Sequence, residues 1–176
     1  MTEIIDSGTA RADKLIGDVL SLAETAQVPS EVCPVDVSKV VTGIIADIVG
    51  EIEEREIDVR TDADLGTVVA NPTHIFQVFS NVISNAVKHN DSDRPVIEIR
   101  SLGERQGGHR YLVRDNGSGI PAEDLEKIFI PFFKGRPGST GIGLSTVENI
   151  LGVYGGSIKA YNDNGACFEF IIPDLN

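Results

Sequence analysis

Apolar and polar positions divide the chain into a long amphipathic stretch, a proline-marked break and a run of shorter elements of mixed period. Over residues 2–27, Ile5, Gly8, Ala12, Leu15, Val19, Leu22 and Ala26 recur in steps of three and four, with Ile4, Ile16, Leu20 and Ala23 as a second stripe. So wide an apolar face belongs in a helix bundle. The helix is therefore expected either to pair with a helix from elsewhere or to pack on its own globular domain. Pro29 and Pro34 then break the pattern, setting a linker over 28–34 and a domain over 35–176.

Within that domain the periods alternate. Val35 to Val37 reads as extended, and Ser38 as the cap of a helix reaching about Arg55. Residues 57–60 alternate like a strand, and Asn71-Pro72 opens a helix through about Lys88. Strands at 96–100 and 110–114 meet at Gly107-Gly108, and a short helix near 123–128 interrupts a loop over 115–140. A helix over 141–154 stops at Gly155-Gly156, before a hairpin of 157–161 and 166–172 turning at Asn164-Gly165. Alternating helices and strands with a hairpin finish predict an α/β two-layer sandwich with a mixed sheet, preceded by one long bundle helix.

Composition changes this picture little. Hydrophobic residues at 41% and charged residues at 24% are ordinary for a folded domain, and 176 residues suffice to bury a core without staples. No apolar run approaches the ~20 residues of a membrane span. Cys33 and Cys167 are too far apart in sequence for a metal-ligand pair, and buried free thiols in the cytoplasm are expected. Charge is more telling. Fifteen basic against 27 acidic residues give −12, which disfavours nucleic acid and direct membrane contact. A polyanionic ligand would have to be held by local donors and a metal.

Four clusters carry candidate chemistry. On the helix after Pro72, Ile75, Val78, Phe79, Val82, Ile83 and Ala86 form the apolar stripe, while Asn81, Asn85 and Lys88 form an adjacent polar row. Asn is a mediocre helix former, and its carboxamide oxygen is a hard ligand suited to Mg²⁺, so the row reads as an oxygen-ligand site or as a solvated face. Asp115-Asn116-Gly117-Ser118-Gly119-Ile120 follows a strand. There Asp115 is either an acceptor for a donor edge or part of an ordinary turn. Phe129, Phe132 and Phe133 lie within five positions, an aromatic anchor under a loop or core packing. Finally, Gly138-Ser139-Thr140-Gly141-Ile142-Gly143-Leu144 opens a helix, where free N–H groups attract anions. It matches neither a Walker loop nor a dinucleotide fingerprint.

In order, these clusters resemble the asparagine box, first glycine box, phenylalanine box and second glycine box of histidine-kinase ATP-binding domains, relatives of the gyrase and heat-shock chaperone ATPases. The similarity spans residues 35–173 and implies a Bergerat-type fold. The 2–27 helix likewise resembles the second helix of that family's dimerisation and phosphotransfer hairpin, implying a homodimeric parent, possessing a phosphoacceptor helix and signalling to a response regulator receiver domain. The resemblance implies that Asn85 coordinates Mg²⁺ with support from Asn81, and that Lys88 meets phosphate. His89 takes a place that is often tyrosine against the nucleotide. Asp115 would accept from the adenine amine, Gly117, Gly119 and Ile120 would line the base, and Phe132 would anchor the lid. Gly141, Ile142, Gly143 and Leu144 would hold the triphosphate, with Ser139 and Thr140 as further donors.

Hydrolytic members of that superfamily carry glutamate four residues before the metal-binding asparagine. Here the place is Asn81, an amide that takes no proton at neutral pH, so phosphoryl transfer to a protein side chain is expected over water attack. His74, His89 and His109 are the chain's histidines, and none follows the family's phosphoacceptor pattern. The acceptor is therefore expected outside this chain. A serine kinase of the anti-sigma type and a non-catalytic docking module are the alternatives.

Overall fold

The computed structural model describes residues 29–105, 107–133 and 141–175. The expected helix over 2–27, and Ser139 and Thr140, lie outside the described residues. Strand β1 (Cys33–Asp36) leads directly into helix α1 (Val37–Asp47). Asp36, not Ser38, is the cap, accepting the Lys39 N–H at 3.1 Å. Val37, expected to be extended, is the first helical residue and fully buried. The Ser38 hydroxyl instead accepts the Leu65 N–H at 2.9 Å, tying a later loop to the helix start. The helix predicted to reach Arg55 breaks at Ile48, and a short helix α2 (Val49–Glu54) follows.

Strand β2 (Asp58–Thr61) and a strand absent from the sequence reading, β3 (Thr67–Ala70), come next. β3 pairs antiparallel with β1, from Cys33 opposite Ala70 to Asp36 opposite Thr67. Helix α3 (Pro72–His89) starts as predicted, its Asn71 cap accepting the Thr73 and His74 N–H groups at 3.0 and 3.2 Å. At its far end Arg55 donates to the carbonyls of Val87 and Asn90, satisfying acceptors that the helix leaves open.

Strands β4 (Val96–Arg105) and β5 (Gly108–Asp115) run longer than their apolar cores suggested, with a register irregularity between Ser101 and Glu104. A single 3₁₀ turn, Lys127–Phe129, replaces the helix expected near 123–128. Helix α4 (Gly143–Val153) is shorter than predicted, because Gly141 sits at φ +75° outside it. Strands β6 (Ser157–Asn162) and β7 (Ala166–Ile172) form the hairpin foreseen at Asn164-Gly165.

The five-stranded sheet runs β2-β4-β5-β7-β6, with β2 parallel to β4 and the remaining pairs antiparallel. Helix α3 packs against α1, α4 and β5, while α4 packs against β6. This is the expected two-layer mixed sandwich. Phe79 from α3 meets Tyr111 and Phe170 of the sheet edge-on at 5.1 and 5.2 Å between ring centroids. The Tyr111 hydroxyl has no partner among the described residues. Burial, with the charges of Asp174 and Asp64, raises its ionisation above the ordinary tyrosine range. Cys167 is buried as expected, but Cys33 is exposed, since it lies at the outer end of β1. No helix among the described residues is long and apolar enough to cross a membrane.

Candidate functional site

The asparagine row lies on the side of α3 next to its buried stripe. Asn81 and Asn85 are half-buried, Lys88 is exposed and His89 half-buried in the last turn. The start of α4 meets this row directly. A methyl built on Gly143 would lie 2.8 Å from the Asn81 Oδ1, so any larger residue there must displace the end of the Asn81 side chain. The first turn of α4 has neither a side-chain cap nor an acidic residue, leaving its N-terminal dipole uncompensated by side chains among the described residues. Ile142 and Leu144 turn into the core at 1% and 8% exposure, so their backbone, not their side chains, is what a ligand would meet.

Asp115 ends β5 on the buried side of the sheet, two residues beyond Val113 and four beyond Tyr111. It is 4% exposed, and its Oδ1 accepts the Gly117 N–H at 2.8 Å and the Ala166 N–H at 3.2 Å. A buried carboxylate needs such donors, and these two also fix its orientation. The loop that follows is held from both sides. Asp91, just past α3, accepts the Ser118 N–H at 2.6 Å and its hydroxyl at 2.7 Å. Ile120, partly buried against the core, is held by Asn162. Gly119 has φ +79°, and a methyl there would meet the Asn162 Oδ1 at 2.6 Å, so the glycine is required from the β6 side. Asn116 accepts the Val96 N–H at 2.8 Å, fastening the loop's first residue to the start of β4.

Of the three phenylalanines, Phe129 packs against the core, Phe133 is half-buried and Phe132 is 57% exposed. Phe132 has φ +66°, and its N–H donates to the Gly141 carbonyl at 2.8 Å. A methyl on Gly141 would strike the Phe133 carbonyl oxygen at 2.5 Å. The Phe132 N–H and the Gly141 carbonyl therefore tie residues 132 and 141 together, and Gly141 lies outside the helix. The core-packing reading holds for Phe129.

The site thus gathers Asn81 with Gly143, Phe132 with Gly141, and Asp115 with Gly117, Gly119 and Ile120. The sequence reading missed Asp91 and Asn162, which carry no motif. Asn90 was equally unmarked: it is 2% exposed, and its side chain bonds Val96, Asn116 and Ser92.

A helix start that has no side-chain cap and lies against the Asn81 carboxamide offers unpaired N–H groups to an anion. Comparison narrows the class: residues 70–176 match the histidine kinase-, DNA gyrase B- and HSP90-like ATPase family, and the chain belongs to it. It is 30% identical over 174 residues to cyanobacterial phytochrome B of Nostoc, covering 95% of this chain and 23% of that protein. It is equally 30% identical to the sensor histidine kinase ZraS of Klebsiella oxytoca, over 93% of this chain and 36% of the relative. The chain therefore spans well under two thirds of these relatives. Among solved structures, the nucleotide-free catalytic domain of the histidine kinase ThkA superposes with a TM-score of 0.72 at 32% identity, covering 82% of this chain and 96% of that one. ThkA in complex with the response regulator TrrA gives 0.76 at 27% identity, covering 98% and 50%.

Proposed function

We propose that this chain is the ATP-binding catalytic piece of a cytoplasmic two-component sensor kinase, passing the γ-phosphoryl group of ATP to a histidine supplied by another segment. The observation that carries the reading is the start of α4, which has no side-chain cap and lies so near Asn81 that a methyl built on Gly143 would stand 2.8 Å from its Oδ1. Asp115 would accept from the adenine amine. Guanine presents a carbonyl at that edge, so two acceptors would oppose each other and ATP is preferred. Lys88 and the first N–H groups of α4, including those of Gly143 and Leu144, would hold the phosphates.

The donor set fits Mg²⁺. Asn85 and Asn81 offer neutral, hard carboxamide oxygens on one face of a helix beside the phosphate-holding turn, which suits a cation that shares its shell with water and phosphate. Asn85 would be the ligand and Asn81 its support. When bound, the ion supplies positive charge that offsets the charge on the phosphates.

Transfer breaks the bond between the γ-phosphorus and the β–γ bridging oxygen as a phosphorus–nitrogen bond forms, the electron pair leaving with ADP. The chain's contribution is position and electrostatics. Asn81 takes no proton from water, so hydrolysis is not promoted. A response regulator and a homodimeric parent complete the proposal. A fluorescent ATP analogue titrated with and without Mg²⁺ tests it: saturable, Mg²⁺-dependent binding competed by ATP over GTP is expected, and no binding refutes it. With radiolabelled ATP the chain alone should show no robust self-labelling at His74, His89 or His109.

A further inference from the structure

The mouth of the β6–β7 hairpin touches both halves of the base-recognition loop. Asn162 pairs with Ala166 across that mouth. Ala166 gives its N–H to the Asp115 carboxylate at 3.2 Å. Asn162 grips Ile120 with both ends of its amide: the Ile120 N–H donates to Oδ1 at 2.9 Å, and Nδ2 donates to the Ile120 carbonyl at 2.7 Å. One rung of one hairpin therefore orients the acceptor carboxylate and fixes the loop five residues further on.

We infer that Asn162 is a positioning residue for the nucleotide base, acting through the Gly119–Ile120 backbone; this rests on the nucleotide reading of the cleft. Ile120 lies outside any helix or strand, and Asn162 satisfies both of its main-chain polar groups. Only a side chain with a donor and an acceptor on one planar group completes that pair. Aspartate has the same shape but would set a carboxylate oxygen against the Ile120 carbonyl, and alanine leaves both backbone groups without these partners. Gly119 belongs to the same device, since a methyl built there would meet the Asn162 Oδ1 at 2.6 Å. With Asp91 holding Ser118 from the opposite side, the loop is pinned before any ligand arrives. Ordering a loop beforehand spares that cost at binding.

The test is ADP affinity, measured by calorimetry on the full chain and on Asn162→Ala and Asn162→Asp, with the ATP-over-GTP ratio and thermal unfolding alongside. Losing two neutral hydrogen bonds that order the loop should weaken ADP binding roughly tenfold. The base preference should narrow and the Mg²⁺ dependence persist, with the aspartate variant no better than alanine. A purely structural role would lower the unfolding temperature and leave the base preference intact, which overturns the inference. So does unchanged affinity in both variants. Should both variants fail to fold, amide exchange in the wild-type chain decides: a protected Ile120 N–H supports the clamp, and exchange as fast as an open loop overturns it. Failure of the wild-type chain to bind ADP or ATP removes the nucleotide reading and this inference together. Normal wild-type binding with indifferent variants removes the inference alone.

Discussion

Replacing Gly143 by alanine separates the stability of this domain from its ligand chemistry. Gly143 is the first residue of α4, and the added methyl would sit 2.8 Å from the Asn81 Oδ1 and 3.4 Å from its Cγ. Those atoms form the end of a flexible side chain on a half-buried position, so Asn81 can swing aside at small cost. The helix gains as well, because alanine is preferred to glycine in helix interiors by about 0.8–1 kcal/mol, less at a first position. The two effects nearly cancel, and the folded state should change by no more than about 1 kcal/mol. That corresponds to a shift of roughly 3 °C in the unfolding midpoint for a chain of this size.

Binding should behave differently. If the carboxamide of Asn81 faces a charged phosphate or its metal, displacing it removes a charge-assisted hydrogen bond of about 1.5–3 kcal/mol. Affinity for ATP would then fall roughly 10- to 100-fold. Differential scanning fluorimetry and an ATP-analogue titration on the same preparation read both quantities. A variant that keeps both its unfolding temperature and its affinity would show that the narrow gap between α3 and α4 is packing alone, and the phosphate assignment would fall.

Three other outcomes are expected. Asp115→Ala strips the partner from the Gly117 and Ala166 N–H groups, so urea unfolding should report a loss of about 2–4 kcal/mol, and competition titrations should show the ATP-over-GTP preference gone. Arg55→Ala exposes the Val87 and Asn90 carbonyls at the end of α3, costing about 1–3 kcal/mol; an unchanged urea midpoint would contradict the capping role. Tyr154 accepts the Asn71 N–H at 3.0 Å and its hydroxyl lies 3.1 Å from the His74 Nδ1, and burial lowers the pKa of His74 from 6.5. Its stabilising contribution is complete above that value and is lost as pH falls through the lower folded-state value, so the urea midpoint should drop as the pH is taken below 6.5 in wild type and less in His74→Gln.

The parts of this fold that could be read in advance are those whose signals are local. Asn71-Pro72 with its six-residue apolar stripe defines α3 to within one residue, and Asn164-Gly165 locates the final hairpin. β3 was illegible because Val68-Val69-Ala70 is too short to announce a strand, and its pairing with β1 spans more than thirty positions. The cap of α1 was misassigned because Asp36 and Ser38 are both competent cap residues, and only the position of Leu65 decides between them. At the site, family resemblance marked which glycines matter but not what each one avoids. Gly119 makes way for Asn162, Gly143 for Asn81 and Gly141 for the Phe133 carbonyl. Asp91 and Asn162 stayed hidden because a single polar residue at or just past an element end is common, and its partner is visible only in three dimensions.

A chain of charge −12 that holds a polyanion poses an electrostatic problem, and the arrangement of elements answers it. The α4 entrance and the first turn of α3 contain no acidic residue, and the last turn of α3 carries Lys88 and His89. By contrast, acids crowd α2, where Glu51, Glu53 and Glu54 lie in one short helix next to α1. The proposed oxygen ligands on α3 are carboxamides, which would bring the hard oxygen that a divalent cation requires without adding a negative charge that a triphosphate would feel. Asp115 is the exception, buried and satisfied by backbone N–H groups at the base end, where the proposed ligand is an uncharged ring. Surface charges beyond the ~8 Å screening length contribute little at physiological salt, so the sign of the whole molecule and the preference of its cleft are set by different residues.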